Sequence, residues 1–166
     1  MIPVQLTIEG LYSYQQRQTI DFTQLTDAGL FGIFGAVGSG KSSILEAITF
    51  ALYGETERLN SKDRRSYNMM NLKSDRSYIE FDFYNYENKL FRSTREFKRN
   101  SKKFEDIKTG NSILYEFKND EWIPLESNNI EPIIGLSYTN FKRTIIIPQG
   151  QFKEFLELGE TDRTRM

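Results

Sequence analysis

The chain has 166 residues and a formal net charge of −1, with 38% hydrophobic and 27% charged residues. No global charge draws it to nucleic acid or to an anionic membrane, so a DNA contact would need a local basic patch or a partner. Because the sequence contains neither cysteine nor histidine, disulfides, thiolate metal sites and imidazole catalysis are excluded.

Residues 4–9 alternate apolar and polar side chains, which predicts a half-buried strand. This strand follows Met1 directly, where a secretory signal would have a basic segment and an apolar run. No apolar run approaches the roughly 20 residues that span a bilayer. We therefore expect a soluble cytoplasmic protein with no membrane partner.

A strand, a glycine-rich turn and a helix are predicted to follow one another next. Residues 19–22 indicate an antiparallel neighbour of the first strand, and residues 30–34 form a short apolar run that stops at Gly35. Residues 41–53 are apolar on most sides, which predicts a buried helix, and Gly54 is a suitable residue to end it.

The rest of the chain is predicted to be rich in strands. Residues 78–83 and 90–95 indicate a hairpin. Further strands are predicted near 104–107, 113–117, 121–123 and 145–147, a tight turn at Asn119 and Asp120, and helical segments at 127–135, 138–144 and 151–158. The predicted fold is α/β, a P-loop lobe over residues 1–166 with a mixed sheet around the helix and an antiparallel β-subdomain at about 78–123.

One segment carries a chemical signature, G-x-x-x-x-G-K-S, in the residues Gly35, Ala36, Val37, Gly38, Ser39, Gly40, Lys41 and Ser42. Its glycines let backbone N–H groups approach phosphate oxygens, and the following helix directs its positive end at the same place. Lys41 adds a charge for the β- and γ-phosphates, and Ser42 adds a hydroxyl for Mg²⁺. The strand before and the helix after the motif favour a nucleotide site over a bare glycine-rich turn.

A second loop follows the strand at 145–147, where Gln149 and Gly150 come after Pro148. Alone, this pattern is typical of an ordinary strand-to-helix turn. Beside a nucleotide loop, the Gln149 amide becomes a candidate to hold Mg²⁺ or the attacking water. The acidic strand that a complete ATPase needs is missing, since Asp82 lies in an alternating strand and is expected to face solvent.

The first strand, the loop at 35–42, the helix at 43–53 and the segments 136–141 and 147–152 together resemble the N-terminal lobe of the SbcC-type DNA-repair ATPases, in the SMC-like branch of the ABC-type ATPases. The resemblance implies that a long antiparallel coiled coil, rooted within 145–166, and then a C-terminal lobe follow. It also implies that two heads dimerise around ATP and Mg²⁺ near the bacterial nucleoid. An SbcD-type nuclease would bind these heads and reach DNA double-strand ends under ATP control.

The same resemblance assigns roles to individual residues. Lys41 and Ser42 match the Walker A lysine and the Mg²⁺-ligand serine, with Ser43 beside them at the nucleotide. Gln149 matches the Q-loop glutamine, so Lys41 and Gln149 would be catalytic and Ser42 and Gln149 would hold the metal. Tyr12 and Ser13 fall where the family approaches the base and sugar. Without the second lobe, the chain alone is expected to be nearly inactive as an ATPase.

Several features allow more than one interpretation. Residues 95–104 are basic with aromatic side chains among them, which indicates either a contact with DNA phosphates or a solvated hairpin. Trp122 is expected in the core or on a strand face. A cluster after the helix borders the nucleotide or DNA or forms an exposed connector: Arg58, Lys62, Arg64 and Arg65. For the whole protein, the alternatives are a transporter-type ATPase subunit and a non-catalytic nucleotide-dependent DNA clamp.

Overall fold

The computed structural model describes residues 1–26, 40–56 and 69–144. The chain divides into two compact units, Met1–Asn129 and Ile130–Met166. The predicted single lobe over residues 1–166 stays a prediction. The predicted strands at 30–34 and 145–147, the cluster at 58–65 and the helix at 151–158 lie outside the described residues.

Six strands of the first unit form one antiparallel sheet in the order β2-β1-β3-β4-β5-β6. The strands are β1 (Ile2–Glu9), β2 (Gln18–Asp21), β3 (Arg76–Tyr84), β4 (Leu90–Arg99), β5 (Ile107–Lys118) and β6 (Glu121–Pro124). The predicted first strand, its antiparallel neighbour and the hairpin are confirmed. All described strand pairs are antiparallel, and the predicted strands that would make the sheet mixed lie outside the described residues.

Two helices belong to this unit, α1 (Thr23–Thr26) and α2 (Lys41–Tyr53). The predicted helix over 41–53 is confirmed at both ends. Gly54 ends α2 in the left-handed conformation with φ of 70°, and its N–H donates to the carbonyl of Phe50 at 2.8 Å. With α2 packed against the sheet, the α/β fold class is confirmed.

The core lies between α2 and one face of the sheet. Side chains alternate along a strand, so β3 directs every second residue to this face, and Ile79, Phe81 and Phe83 are fully buried there. The Phe50 ring of α2 lies 5.0 Å from the Phe97 ring of β4, measured between centroids. Aromatic burial of this kind supplies much of the stability of a small sheet domain.

The predicted separate strand at 104–107 is wrong. Strand β5 begins only at Ile107 and continues through Gly110 to Lys118. A shift of register between Arg95 and Phe97 lets β4 follow this long strand. A side chain at position 110 would approach Glu96 Cβ to 3.1 Å, so glycine allows the strand to pass.

The tight turn predicted at Asn119 and Asp120 is confirmed between β5 and β6. Both residues have positive φ, 51° and 62°, as a two-residue hairpin with a type I′ turn requires. The turn places Trp122 beside Phe117, with ring centroids 5.0 Å apart. Trp122 therefore lies on a strand face, as expected.

The prediction that Asp82 faces solvent is wrong, because the residue is only 6% exposed. Its carboxylate accepts two hydrogen bonds from the Arg92 guanidinium, both at 2.7 Å. This guanidinium lies over the Trp122 ring, 4.2 Å from its centroid. The hydrogen bond to Asp82 is the main reason why the pKa of Arg92 is raised. Asp82 thus serves the outer face of the sheet.

The described part of the second unit contains two short helices, α3 (Glu131–Ile134) and α4 (Tyr138–Thr144). The helical segment predicted at 138–144 is confirmed. The helix predicted at 127–135 is shorter than expected, because Pro132 lacks an N–H group and is tolerated only in the first turn. Gly135 ends α3 with φ of 79°.

Two buried serines on the core face of the sheet allow a matched test of polar burial. Ser77 is 0% exposed, and its hydroxyl has no hydrogen-bond partner in the described part of the chain. Ser93 is 4% exposed and donates to the carbonyl of Ala51 at 2.6 Å. We expect Ser77→Ala to leave the free energy of unfolding unchanged or raise it by about 1 kcal/mol, and Ser93→Ala to lower it by about 1 kcal/mol. Denaturant titration measures both, and equal losses would contradict the expectation.

Candidate nucleotide-binding site

Helix α2 begins behind a residue that only glycine fits well. Gly40 is the N-cap of α2, with φ of 87°. A Cβ at this position would lie 2.9 Å from the hydroxyl oxygen of Tyr14. Both the backbone conformation and the nearby tyrosine therefore require glycine at the last position of the motif before Lys41.

The first turn of α2 has the character of an anion site. Its leading N–H groups have no acceptor within the helix, and the helix dipole places positive potential there. The first turn contains no acidic residue that would repel a phosphate. Ser42 is exposed and Ser43 is half-buried, so the Ser42 hydroxyl is accessible at the helix start. The arrangement fits a negatively charged group with an oxygen-seeking cation beside it.

A loop after β1 is fastened beside this helix through Tyr12. The backbone of Tyr12 has φ of 47°, its N–H donates to the carbonyl of Met69 at 2.7 Å, and its carbonyl accepts from Asn71 Nδ2 at 2.6 Å. Its hydroxyl donates to the carboxylate of Glu46. Because Glu46 is one helical turn beyond Ser42, this bond fastens the loop to the early part of α2.

The predicted base and sugar residues line one cavity. Its volume is ≈ 510 Å³, and its walls are formed by Tyr12, Ser13, Gln15, Met70, Asn71, Leu72 and Lys73. Cavities that hold small ligands range from about 300 to 1,000 Å³. With the Tyr12 hydroxyl bonded to Glu46, the ring of Tyr12 is the part available to a flat ligand.

The structure brings together only part of the predicted site. Gly40, Lys41, Ser42 and Ser43 stand at the start of α2, and Tyr12 and Tyr14 join the neighbouring loop to the same helix. The other predicted residues lie outside the described residues: Gly35, Ala36, Val37, Gly38, Ser39 and Gln149. Within the described ranges, no three acidic side chains are grouped so that they could hold a metal ion.

Both interpretations of the basic segment 95–104 fail for its arginines that face the interior. Arg99 is only 7% exposed, and its guanidinium donates to the carbonyls of Asn71, Ser74 and Phe104 at 3.2, 3.1 and 2.6 Å. Arg95 donates to the carbonyls at the end of α2. Exposed lysines are the cations of this segment that remain accessible: Lys98, Lys102 and Lys103.

The residues at the far end of α2 were missed from the sequence. Arg95 Nε donates to the carbonyl of Ala51 at 2.9 Å, and Arg95 Nη2 donates to that of Leu52 at 3.2 Å. The available signal was alternation along β4, which places Arg95 on the same face as Phe91 and Phe97. A charged residue at an inward position predicts buried acceptors.

A protein-family model described as the AAA domain matches residues 5–165. The chain belongs to the AAA domain family. Lys41, Ser42 and the loop at 35–42 thus lie within the matched region. Among the described residues of this AAA domain, no helix combines the length and apolar character required to cross a bilayer.

Curated relatives of this AAA domain are named for nuclease and repair functions. It is 37% identical over 173 residues to the SbcC component of nuclease SbcCD from Bacillus subtilis (strain 168), an alignment that covers 100% of this chain and 15% of the relative. It is 30% identical over 162 residues to the probable DNA double-strand break repair Rad50 ATPase of Aquifex aeolicus (strain VF5), covering 95% of this chain and 15% of the relative. The chain therefore spans about 15% of the length of these relatives. The match confirms the resemblance to the SbcC-type proteins.

The fold of this AAA domain is also found in a solved structure. The structure of the recombination mediator protein RecF-ATP in the RecFOR pathway aligns with a TM-score of 0.50 and 16% sequence identity. The alignment covers 77% of this chain and 28% of that chain. At this identity the likeness concerns the fold alone.

The bond between Tyr12 and Glu46 makes a specific prediction. Tyr12→Phe removes only the hydroxyl, so we expect the free energy of unfolding to fall by about 1 kcal/mol, the usual value for a lost hydrogen bond. Tyr14→Phe is the matched control, because the Tyr14 hydroxyl lies 3.5 Å from the Gly40 carbonyl and makes a poor hydrogen bond. Denaturant titration of both variants measures the difference, and a larger loss for Tyr14→Phe would contradict it.

Proposed function

We propose that this AAA domain is the ATP-binding half of an SbcC-type DNA-repair ATPase. One observation carries the proposal: the G-x-x-x-x-G-K-S motif ends where α2 begins, behind a left-handed Gly40. The names of the relatives support the same direction, since one is a component of a nuclease and another a double-strand break repair ATPase. The ligand would be ATP with Mg²⁺.

In this proposal the start of α2 binds the phosphates. Backbone N–H groups of the loop at 35–42 and of the first helical turn would surround the phosphate oxygens, and Lys41 would place its charge at the β- and γ-phosphates. The exposed Ser42 hydroxyl and the Gln149 amide oxygen supply the oxygen ligands that Mg²⁺ prefers, and the bound ion would supply charge neutralisation. Tyr12 and Ser13 would contact the base and sugar.

Hydrolysis would need more than this chain. The sequence lacks an apolar strand that ends in paired acidic residues, and such a strand normally supports Mg²⁺ and orients water. A C-terminal lobe of the same protein would supply it, and a second head would complete each site as an ATP-dependent dimer. An SbcD-type nuclease would then bind the heads, and ATP would gate its access to DNA ends.

Binding and hydrolysis measured on the full-length protein test the proposal. ATP should bind in the presence of Mg²⁺, and hydrolysis should require the residues that follow position 166. Adding the partner nuclease and linear DNA should couple ATP to cleavage at the ends, whereas covalently closed circles should be spared. Binding without any hydrolysis would favour the non-catalytic clamp. A signature sequence in the same continuous domain, without a coiled-coil insertion, would favour the transporter-type ATPase.

A further inference from the structure

The C-terminal end of α2 is gripped by two side chains of β4. Arg95 bonds the carbonyls of Ala51 and Leu52 at 2.9 and 3.2 Å, and Ser93 bonds the Ala51 carbonyl at 2.6 Å. The last carbonyls of a helix have no partners within it, so these bonds satisfy groups that would otherwise be buried and unpaired. A Cβ at Gly54 would come within 2.8 Å of Arg95 Nη1, so the contact is close-packed.

An arginine at this place is costly if its role is stability alone. Its guanidinium lies 5.6 Å from the centroid of the Phe50 ring, and burial lowers the pKa of Arg95 to about 10. The side chain still carries its charge at neutral pH, close to the negative end of the helix dipole. An apolar side chain of similar volume often replaces a buried charge without loss of stability. The directional bonds of Arg95 therefore point to a requirement for exact placement of the helix.

We propose that Arg95, assisted by Ser93, is a positioning residue that sets the axial position of α2 and so the place of its phosphate-binding end. This inference rests on the proposed function. A helix of 13 residues behaves as a rigid rod, and its two ends are separated by roughly 18 Å at about 1.5 Å per residue. Axial movement at the Arg95 end is therefore transmitted in full to Lys41.

Within the described residues, the other end of α2 has no comparable fastening along its axis. Gly40 provides no side-chain cap to the helix. Tyr12 contacts Glu46 from the side, which limits rotation and lateral movement more than sliding along the axis. The carbonyls bonded by β4 face along the helix axis, so these bonds resist sliding directly. Phosphate recognition depends on this direction, because N–H groups at the helix start must meet phosphate oxygens within a fraction of an ångström.

The test measures the Kd for MgATP of the full-length protein, well below the unfolding temperature of every variant. We expect Arg95→Met to weaken ATP binding at least about tenfold, since a displacement of about 1 Å costs up to about 10²-fold at a tuned site. Arg95→Lys should restore part of the affinity, because one ammonium reaches a carbonyl but cannot bond two in a fork. Hydrogen exchange at residues 41–44 should become faster in Arg95→Met.

The matched control removes an arginine from the same strand on the opposite face. Arg92→Met combined with Asp82→Asn perturbs β4 without touching α2 and should leave the Kd within about twofold of the wild-type value. Wild-type affinity and exchange in Arg95→Met would overturn the inference. If Arg95→Met does not fold, Arg95→Lys and Ser93→Ala take its place, and wild-type affinity in both would overturn it. If Lys41→Ala also keeps ATP binding intact, the proposed function itself fails.

Discussion

Replacing Lys41 by alanine is expected to abolish ATP binding. Lys41 is the first residue of α2 and the only cation in the G-x-x-x-x-G-K-S motif. Each charge-assisted hydrogen bond is worth about 1.5–3 kcal/mol, and the lysine would make such bonds to two phosphate groups. We therefore expect the Kd for MgATP to rise by more than about 100-fold, measured by calorimetric titration of the full-length protein.

The control for this change is a lysine on the surface of the same unit. Lys89 pairs with Glu87 at 2.7 Å in the β3–β4 hairpin, where both side chains are about half exposed. Lys89→Ala should leave the Kd unchanged, because a screened surface pair contributes little. Unchanged ATP affinity in Lys41→Ala would show that the motif does not bind the triphosphate, and the repair-ATPase proposal would be lost with it.

Replacing Gly10 by alanine is expected to have the largest effect on folding. Gly10 directly follows β1 and has φ of 65°, a conformation that costs a residue with a side chain about 1 kcal/mol. A Cβ there would overlap the carbonyl oxygen of Arg76 and lie 3.2 Å from Ser77 Cα, both in the backbone of β3. Backbone atoms cannot turn aside as a flexible side chain does. We expect the free energy of unfolding to fall by at least about 3 kcal/mol, measured by denaturant titration.

Gly135 provides the comparison that separates backbone conformation from collision. Its φ of 79° resembles that of Gly10, but an added Cβ would meet no atom within 4 Å. Gly135→Ala should therefore cost only about 1 kcal/mol, the conformational part of the loss. Equal effects of the two changes would mean that the start of β3 moves freely, against the packing described for it.

Features set by local pattern were predicted well from the sequence. The alternation of residues 4–9 and of the hairpin strands identified β1, β3 and β4, and the turn residues Asn119 and Asp120 placed the β5–β6 turn. The bounds of α2 followed from its apolar character and from the glycine at each end. Period and turn chemistry act within a few residues, so one chain contains all the information they need.

Merging of two predicted strands into β5 was not predictable in this way. The segment near 104–107 reads as a short strand, but pairing with the full length of β4 extends β5 from Ile107 through Gly110. Strand ends are set by the neighbouring strand, whose register is decided by tertiary pairing.

The amino-acid sequence by itself determined the phosphate-binding motif, the helix that follows it and the strand pattern around them. Only the tertiary structure decided which charges are buried: Asp82 is bonded by Arg92, and Arg95 is bonded to the end of α2. These partners stand 10 and 44 residues apart in the chain, and sheet register together with helix packing brings them into contact. A charge reads as solvent-facing in a local pattern, because the acceptor that stabilises its burial is supplied by another part of the fold.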